Sequence, residues 1–175
     1  MGKDYLQEMT KQIQLEKVRE TNEYTKRFGL VLSEKDAELL LKDRMESLKQ
    51  QQRVEFGEGI LPKIIYTFCD SDYINQDNYV DTIGRLQEIF FLYKNEMHDE
   101  ISDDELLNFM KEQFETICFG DVDYLEETCL AIFAEAIRAG YRGYRQTGGK
   151  GNFTEMDIIA RWDRELFLEA LKDLF

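Results

Sequence analysis

The acidic stretch CDSDYINQDNYVD, residues 69–81, has the residue types of a calcium loop between two helices. With Asp70 at the first position of an EF-hand loop, Asp72 occupies the third position correctly. The sixth position, where glycine makes the sharp turn, is Asn75, and the twelfth is Asp81 instead of the bidentate glutamate. The pattern therefore predicts a helix connection, in which one of the first aspartates ends a helix and Asn75 caps the next.

Histidine and cysteine offer few arrangements for catalysis or metal binding. His98 is the single histidine, and no glutamate stands three residues before it, so a Glu-x-x-His metal pair is missing. Cys69, Cys118 and Cys129 lie in apolar patterns without a Cys-x-x-Cys motif. We predict that they are reduced core thiols and not zinc ligands or a disulfide framework. We expect no metal, no cofactor and no catalytic residue.

Two glycines before a predicted helix mark a candidate ligand pocket. In the segment FGEG the backbone N–H groups that follow could meet an anion, as they do at many helix N-termini. Glu58 opposes an anion there, and the conformational freedom of glycine at a helix start accounts for the segment equally well. The candidate pocket residues are Gly57, Gly59 and Lys63.

A basic, glycine-rich segment at residues 138–152 is a candidate interaction surface. Its Gly-Gly-Lys-Gly run lacks the spacing of a phosphate-binding P-loop, although tyrosines beside arginines can stack on bases. We predict that the segment is either mobile or held by carboxylates of residues 95–127, in the same chain or a second copy. The candidate residues are Arg138, Tyr141, Arg142, Tyr144, Arg145 and Lys150.

The formal charge of −14 is concentrated in the middle of the chain. Residues 57–135 carry 4 bases and 19 acids, whereas residues 1–56 carry 11 of each. An acidic surface of this density repels nucleic acid and anionic membranes. We therefore expect a protein partner or a homodimer, no nucleic acid and no membrane. A surface that imitates the phosphate backbone of DNA remains an alternative.

The composition predicts an all-α fold. Proline occurs once, and the chain is rich in strong helix formers. Helix starts are indicated by Ser33, by the capping box of Ser102 and Glu105, and by an aspartate at 121 or 123. Pro62 belongs in the first turn of a helix that begins near residue 59. We predict one compact multi-helix bundle of about seven helices over residues 1–175.

Apolar spacing predicts which helix faces are buried. The clearest pattern belongs to a central helix, with Phe90 fully buried and a face formed by Tyr79, Ile83, Leu86, Phe90, Tyr93 and Met97. A loosely packed helix is predicted within residues 1–28, with Leu6, Met9 and Ile13 on its apolar face. The other predicted faces belong to four helices. The helix after Ser33 carries Ala37, Leu40, Leu41, Met45 and Leu48, and the helix after Ser102 carries Leu106, Met110, Phe114 and Ile117. The helix after the aspartate at 121 or 123 carries Val122, Leu125, Cys129, Ile132, Phe133, Ala136 and Ile137, and the helix from Thr154 carries Ile159, Trp162, Leu166 and Leu174.

Several strings resemble those of an uncharacterised family of small cytosolic bacterial helical proteins, a domain of unknown function. The strings are EFGEGILPKIIYTFCDSDYI, LQEIF, YKNE and ISDDELLNFMKEQF, and the resemblance covers about residues 20–140. The resemblance implies a compact bacterial helical domain. It implies no activity, cofactor or catalytic residue.

These observations favour a cytoplasmic protein without enzymatic activity. No apolar stretch approaches the roughly 20 residues that span a bilayer, and MGKDYLQEMTKQ has no signal-peptide core. We expect a protein-interaction or regulatory module. The alternatives are a small-molecule-binding protein or enzyme with a pocket near Gly57–Lys63, and an acidic DNA mimic.

Overall fold

The computed structural model of the chain describes residues 2–55 and 59–140, which are helical and contain no strand. The all-α prediction is confirmed, while the helix predicted from Thr154 lies outside these residues. The helices are α1 (Gly2–Thr25), α2 (Glu34–Gln50), α3 (Leu61–Phe68), α4 (Tyr79–Glu96), α5 (Asp103–Thr116) and α6 (residues 122–138). A 3₁₀ turn, Lys26–Phe28, follows α1. Helix α6 comprises three consecutive segments, Val122–Tyr124, the π-helical Leu125–Leu130 and Ala131–Arg138.

The helices begin where their capping residues predict. Ser33 Oγ accepts a hydrogen bond from the Asp36 N–H at 3.0 Å. Ser102 and Glu105 form the reciprocal capping box, with both bonds at 3.1 Å. Asp121 caps α6 by accepting from two backbone N–H groups. These bonds satisfy N–H groups that the first helical turn leaves without partners.

The chain divides into two compact units, residues 1–91 and 92–175, and the division falls within α4. We call them the first unit and the second unit. The first unit has an apolar core from α1 to α4 that includes Val18, Leu40, Ile64, Phe68 and Ile83. The second unit has a core that includes Leu106, Phe109, Phe114, Leu125 and Phe133. A single domain over residues 1–175 stays a prediction.

The face predicted for α4 is confirmed. Its six residues are at most 7% exposed, and Phe90 is 2% exposed. Ile89 and Phe91 are buried as well, so the apolar stripe is wide. A helix with so wide a stripe must pack against several neighbours.

Three other predicted faces are partly wrong. Met9 and Ile13 of α1 are 45% and 58% exposed, and the helix packs instead through Leu15 and Val18 further along. Met45 of α2 is 60% exposed, and Ile117, which follows α5, is 47% exposed. The side chain of Leu6 lies outside the described part of the structure. Apolar spacing alone cannot separate a buried stripe from a second apolar stripe on the solvent side of the same helix.

The π-helical segment Leu125–Leu130 shifts the buried face of α6. Leu125 and Leu130, five residues apart, are both fully buried. Cys129 and Ile132, which ordinary helical spacing places on the core face, are half-buried instead. A π turn contains one residue more than the spacing of an α-helix assumes, so every later side chain is rotated around the axis.

Among residues 2–55 and 59–140, no helix combines the length and the hydropathy needed to cross a bilayer.

Candidate functional site

A large open groove lies in the first unit along the exposed side of α2. Its volume is about 1340 Å³, and its walls come from the first half of α1, from α2 and from residues 53–55. Three contacts tie α1 to the start of α2 and to the residues before it. Asn22 bonds both backbone groups of Leu32 at 2.8 and 2.9 Å, and Arg19 forms an ion pair with Glu34. The groove is therefore built from two helices with a fixed connection.

Helix α2 presents a stripe of alternating lysines and apolar side chains to this groove. The stripe contains Lys35, Leu39, Lys42, Met45 and Lys49, which follow each other at steps of three or four residues. Leu39 is 50% exposed and Met45 60% exposed, and all three lysines are exposed. The core side of the same helix carries Ala37, Leu40, Leu41, Ser47 and Leu48. Helix α2 thus has two apolar sides, and one of them is open to solvent.

The groove is basic although the protein is acidic. Its lining contains six bases and three acids, including the ion pair of Arg44 with Glu55. The remaining bases, on the rim, are Lys11, Lys35, Lys42, Lys49 and Arg53, against the acids Glu8 and Glu38. The lining residues therefore carry a formal charge of +3 (six bases and three acids), in contrast to −14 for the chain.

A buried ion pair closes one end of the groove. Arg44 Nε donates to Glu55 Oε1 at 2.6 Å, and the Arg44 side chain is 3% exposed. The second oxygen of Glu55 accepts from the Ile60 N–H at 2.9 Å, where α3 begins. Gly59 has φ +74°, and a Cβ there would lie 2.6 Å from Glu55 Oε1. Glycine is thus required at residue 59 both by its backbone angle and by the closeness of the carboxylate.

The candidate pocket near Gly57–Lys63 is only partly visible. Gly57 lies outside the described residues, Gly59 borders the Arg44–Glu55 pair, and Lys63 is exposed. The Glu55 carboxylate already supplies negative charge at the start of α3. A separate anion pocket at these residues stays a prediction.

Of the candidate interaction residues at 138–152, the structure describes one. Arg138 Nη1 donates to the backbone oxygen of Glu96 at 2.7 Å and to its carboxylate at 3.1 Å. Glu96 belongs to the acidic region 95–127 that was expected to hold the segment. The residues that lie outside the described part are Tyr141, Arg142, Tyr144, Arg145 and Lys150.

The acidic stretch 69–81 connects α3 with α4, as predicted. Asn75 Oδ1 accepts from the backbone N–H groups of Asp77 and Asn78, and Ser71 Oγ accepts from that of Tyr73. Asn75 thus organises the turn that leads into α4. Within residues 2–55 and 59–140, no group of three or more His, Cys, Asp or Glu side chains has the placement of a metal site.

His98 is exposed, as expected, in the turn after α4. That turn is fastened by Lys94, whose ammonium group donates to the backbone oxygen of Ile101 at 2.7 Å. Lys94 also lies 3.0 Å from an oxygen of Asp103 and 3.6 Å from one of Asp99. Several acids of the region 95–127 therefore stabilise helix ends and turns.

Sequence reasoning missed the groove because it assigned Met45 to the core and left Leu39 unassigned. The available signal was that Leu39 does not fit the stripe of Ala37, Leu40 and Leu48, whereas Met45 fits only its edge. Lysines at three- and four-residue steps from both of them were a second signal.

The sequence pattern of a family of unknown function, DUF6323, matches residues 17–143. This confirms the resemblance to an uncharacterised domain family. No curated protein and no solved structure matches the chain.

Proposed function

The chain belongs to DUF6323, a family of unknown function, and we propose that it is a protein-interaction module whose groove binds an acidic amphipathic helix of a partner protein. The observation that carries the proposal is the α2 stripe, in which Leu39 and Met45 stand exposed between three lysines. An amphipathic helix buries its apolar residues in such a groove and recognises it at steps of three and four residues. Methionine suits this use because its flexible side chain adapts to different partners.

The charge of the groove specifies the chemistry of the partner. Lysines that alternate with Leu39 and Met45 along the stripe favour a helix whose own apolar residues stand beside Asp and Glu. A partner with Lys or Arg at those positions would place like charges opposite each other and would bind poorly. Exposed charges of this kind act mainly on the association rate and weaken as salt rises.

The size of the groove favours a helix over a small molecule. Pockets for small ligands enclose about 300–1000 Å³ and bury most of the ligand surface. The groove is larger, at about 1340 Å³, and its apolar side chains Leu39, Met45 and Val54 are 50–75% exposed. A binding helix would cover this exposed area, which is otherwise costly to leave in water.

A displayed library of amphipathic helical peptides, with all combinations of acidic and basic flanks, tests the proposal. We expect the wild-type chain to enrich acidic peptides, and the double variant Leu39→Glu/Met45→Glu to lose them. The matched control is Met9→Glu/Ile13→Glu, which changes two exposed apolar residues of α1 that do not line the groove. This control should bind as the wild type does.

Three outcomes would contradict the proposal. One is that no peptide is enriched, and another is that the enriched peptides are basic or bind both double variants equally. The third concerns a second copy of the chain as the occupant. If sedimentation shows that the wild type is a dimer and Leu39→Glu/Met45→Glu a monomer, the groove is a self-association surface.

A further inference from the structure

Two of the three cysteines lie in contact within the second unit. Cys118 Sγ and Cys129 Sγ are 3.7 Å apart. Cys118 follows α5 and is 6% exposed, whereas Cys129 belongs to the π-helical segment of α6 and is half-buried. Cys69 is in the first unit, where it is 2% exposed and its thiol contacts the backbone oxygen of Tyr66. The prediction of core thiols is thus confirmed for Cys69 and Cys118, whereas Cys129 is half-buried and contacts Cys118.

The two thiols of the pair differ in environment. The hydrogen bond from the Cys118 thiol stabilises a thiolate on Cys129 and lowers the pKa of Cys129. The same bond, followed by burial, raises the pKa of Cys118. Cys129, the thiol whose pKa is lowered, is also the more exposed of the two, and both properties favour reaction at its sulfur.

We propose that Cys118 and Cys129 form a reversible redox pair, in which a peroxide oxidises Cys129 and Cys118 resolves it as a disulfide. The π-helical segment places Cys129 there, because it rotates residues of α6 away from the positions of regular helical spacing. Such π segments are frequent at functional sites. A partly exposed thiol with a lowered pKa beside a second thiol is the arrangement that redox-sensing cysteines share.

The chemistry balances with hydrogen peroxide as the oxidant. The Cys129 thiolate attacks one peroxide oxygen, the O–O bond breaks, and water leaves after taking up a proton. The resulting sulfenic acid is attacked by the Cys118 sulfur, the S–S bond forms, and the hydroxyl group leaves with the Cys118 proton as a second water. Two thiols have then lost two electrons to one peroxide. Two molecules of a small thiol such as glutathione reverse the reaction by exchange.

The local backbone allows the sulfurs to meet. A disulfide needs them at about 2.05 Å, so they must approach by less than 2 Å from the contact distance of 3.7 Å. Cys118 opens a tight turn in which Phe119 and Gly120 have φ +49° and +85°. This turn is held by bonds from Gly120 N–H to Phe114 and from Asp121 N–H to Cys118. The proposal requires that rotation of the two side chains supplies the approach while the turn keeps its bonds.

Thiol counting by mass spectrometry tests the pair. The reduced full-length chain is treated with hydrogen peroxide, unfolded and alkylated, and its peptides are mapped. We expect the treated chain to lose the mass of two hydrogen atoms, to keep one alkylatable thiol at Cys69, and to recover all three after glutathione. If Cys118 and Cys129 both remain alkylatable, or if the bridge includes Cys69, the proposal is wrong.

Variants separate the roles of the two sulfurs. Cys118→Ser should accumulate a sulfenic acid at Cys129 that a dimedone reagent labels, and Cys129→Ser should lose peroxide reactivity at the site. Cys69→Ser is the matched control and should form the bridge as the wild type does. Labelling of Cys118 instead of Cys129 would overturn the assignment of the attacking sulfur. The wild-type peptide map decides the existence of the pair even if a variant fails to fold.

Discussion

The first and second units each bury a cation beside a helix connection, but they surround it differently. Arg44 of the first unit pairs with Glu55, whose side chain is 15% exposed and also bonds the start of α3. Lys94 of the second unit donates to a backbone oxygen, and its carboxylate partners Asp99 and Asp103 are about half exposed. The first unit thus depends on a desolvated ion pair, and the second on a backbone hydrogen bond assisted by solvated charges.

The units also differ in overall charge. Residues 1–91 contain 13 bases and 17 acids, whereas residues 92–175 contain 9 bases and 19 acids. In the second unit many acids stand at helix starts, where the helix dipole favours them. In the first unit the bases of α1, α2 and residue 53 surround an exposed apolar stripe. The acids at the helix starts of the second unit are therefore accounted for by local stability, whereas the bases around the groove of the first unit are the ones on which the proposed partner rests.

The largest expected effect tests whether the two cores are equally well packed. Phe90→Ala in the first unit and Phe133→Ala in the second should each lower the free energy of unfolding by about 3–5 kcal/mol, through lost burial and the cavity left behind. Phe133 stacks on Phe109 with ring centroids 3.6 Å apart. Chemical denaturation measures both variants. Phe119→Ala, at a residue 66% exposed, is the control and should change little. A near-neutral Phe90→Ala would mean that α4 packs through another face.

The second effect tests the contrast between the buried cations directly. Glu55→Gln should lower the free energy of unfolding by about 2–4 kcal/mol, because it leaves the Arg44 guanidinium buried without its counter-charge. Asp103→Asn should cost at most about 1 kcal/mol, because Lys94 keeps its bond to Ile101 and the lost charge pair is solvated. The two variants are compared by denaturation at low and high salt. If both variants lose the same free energy of unfolding, the proposed difference between the two buried cations is wrong.

The smallest effect concerns one buried tyrosine in each unit and appears at alkaline pH. Burial raises the pKa of Tyr79 and of Tyr93 from 10.0 to about 12. Both tyrosines are neutral below pH 10, so their contribution to stability is complete there and is lost as the pH rises from 10 to 12. At pH 11 the wild type should have lost about 1 kcal/mol of unfolding free energy for each of the two tyrosines. The corresponding phenylalanine variant should not show that loss.

Denaturation of Tyr79→Phe and Tyr93→Phe between pH 8 and about 11 measures this difference. At neutral pH, Tyr93→Phe should lose more stability relative to the wild type than Tyr79→Phe does. The reason is that the Tyr93 hydroxyl donates to the backbone oxygen of Glu126. If the free energy of unfolding falls equally with rising pH in the wild type and in both variants, neither tyrosine contributes to the pH dependence.

Local features of the fold were predictable because their causes lie within a few residues. The caps at Ser33, Ser102 and Asp121 bond to N–H groups two or three residues away. The position of Pro62 restricts the start of α3 through its own ring. The apolar stripe of α4 is wide. The buried side of this helix could therefore also be predicted from the spacing of its apolar residues.

The candidate site was not predictable in the same way. Met45 and Leu40 both have apolar side chains, but Leu40 is 2% exposed and Met45 is 60% exposed. Which of two apolar stripes is buried depends on where α1, α3 and α4 pack, and that is a property of the whole first unit. The prediction of buried cysteines was correct for Cys118, yet spacing carried no sign that Cys129 would meet it.

The sequence by itself determined the all-α class, the helix starts, the face of α4 and the unequal distribution of charge, because these follow from side chains close together in the chain. Only the tertiary structure decided that α2 keeps Leu39 and Met45 in solvent among lysines, that Glu55 pairs with Arg44, 11 residues away, and that Cys129 of the π segment contacts Cys118. Each of these depends on contacts between separate elements. Such contacts are chosen by the packing of a complete core, and the periodicity of one helix does not contain them.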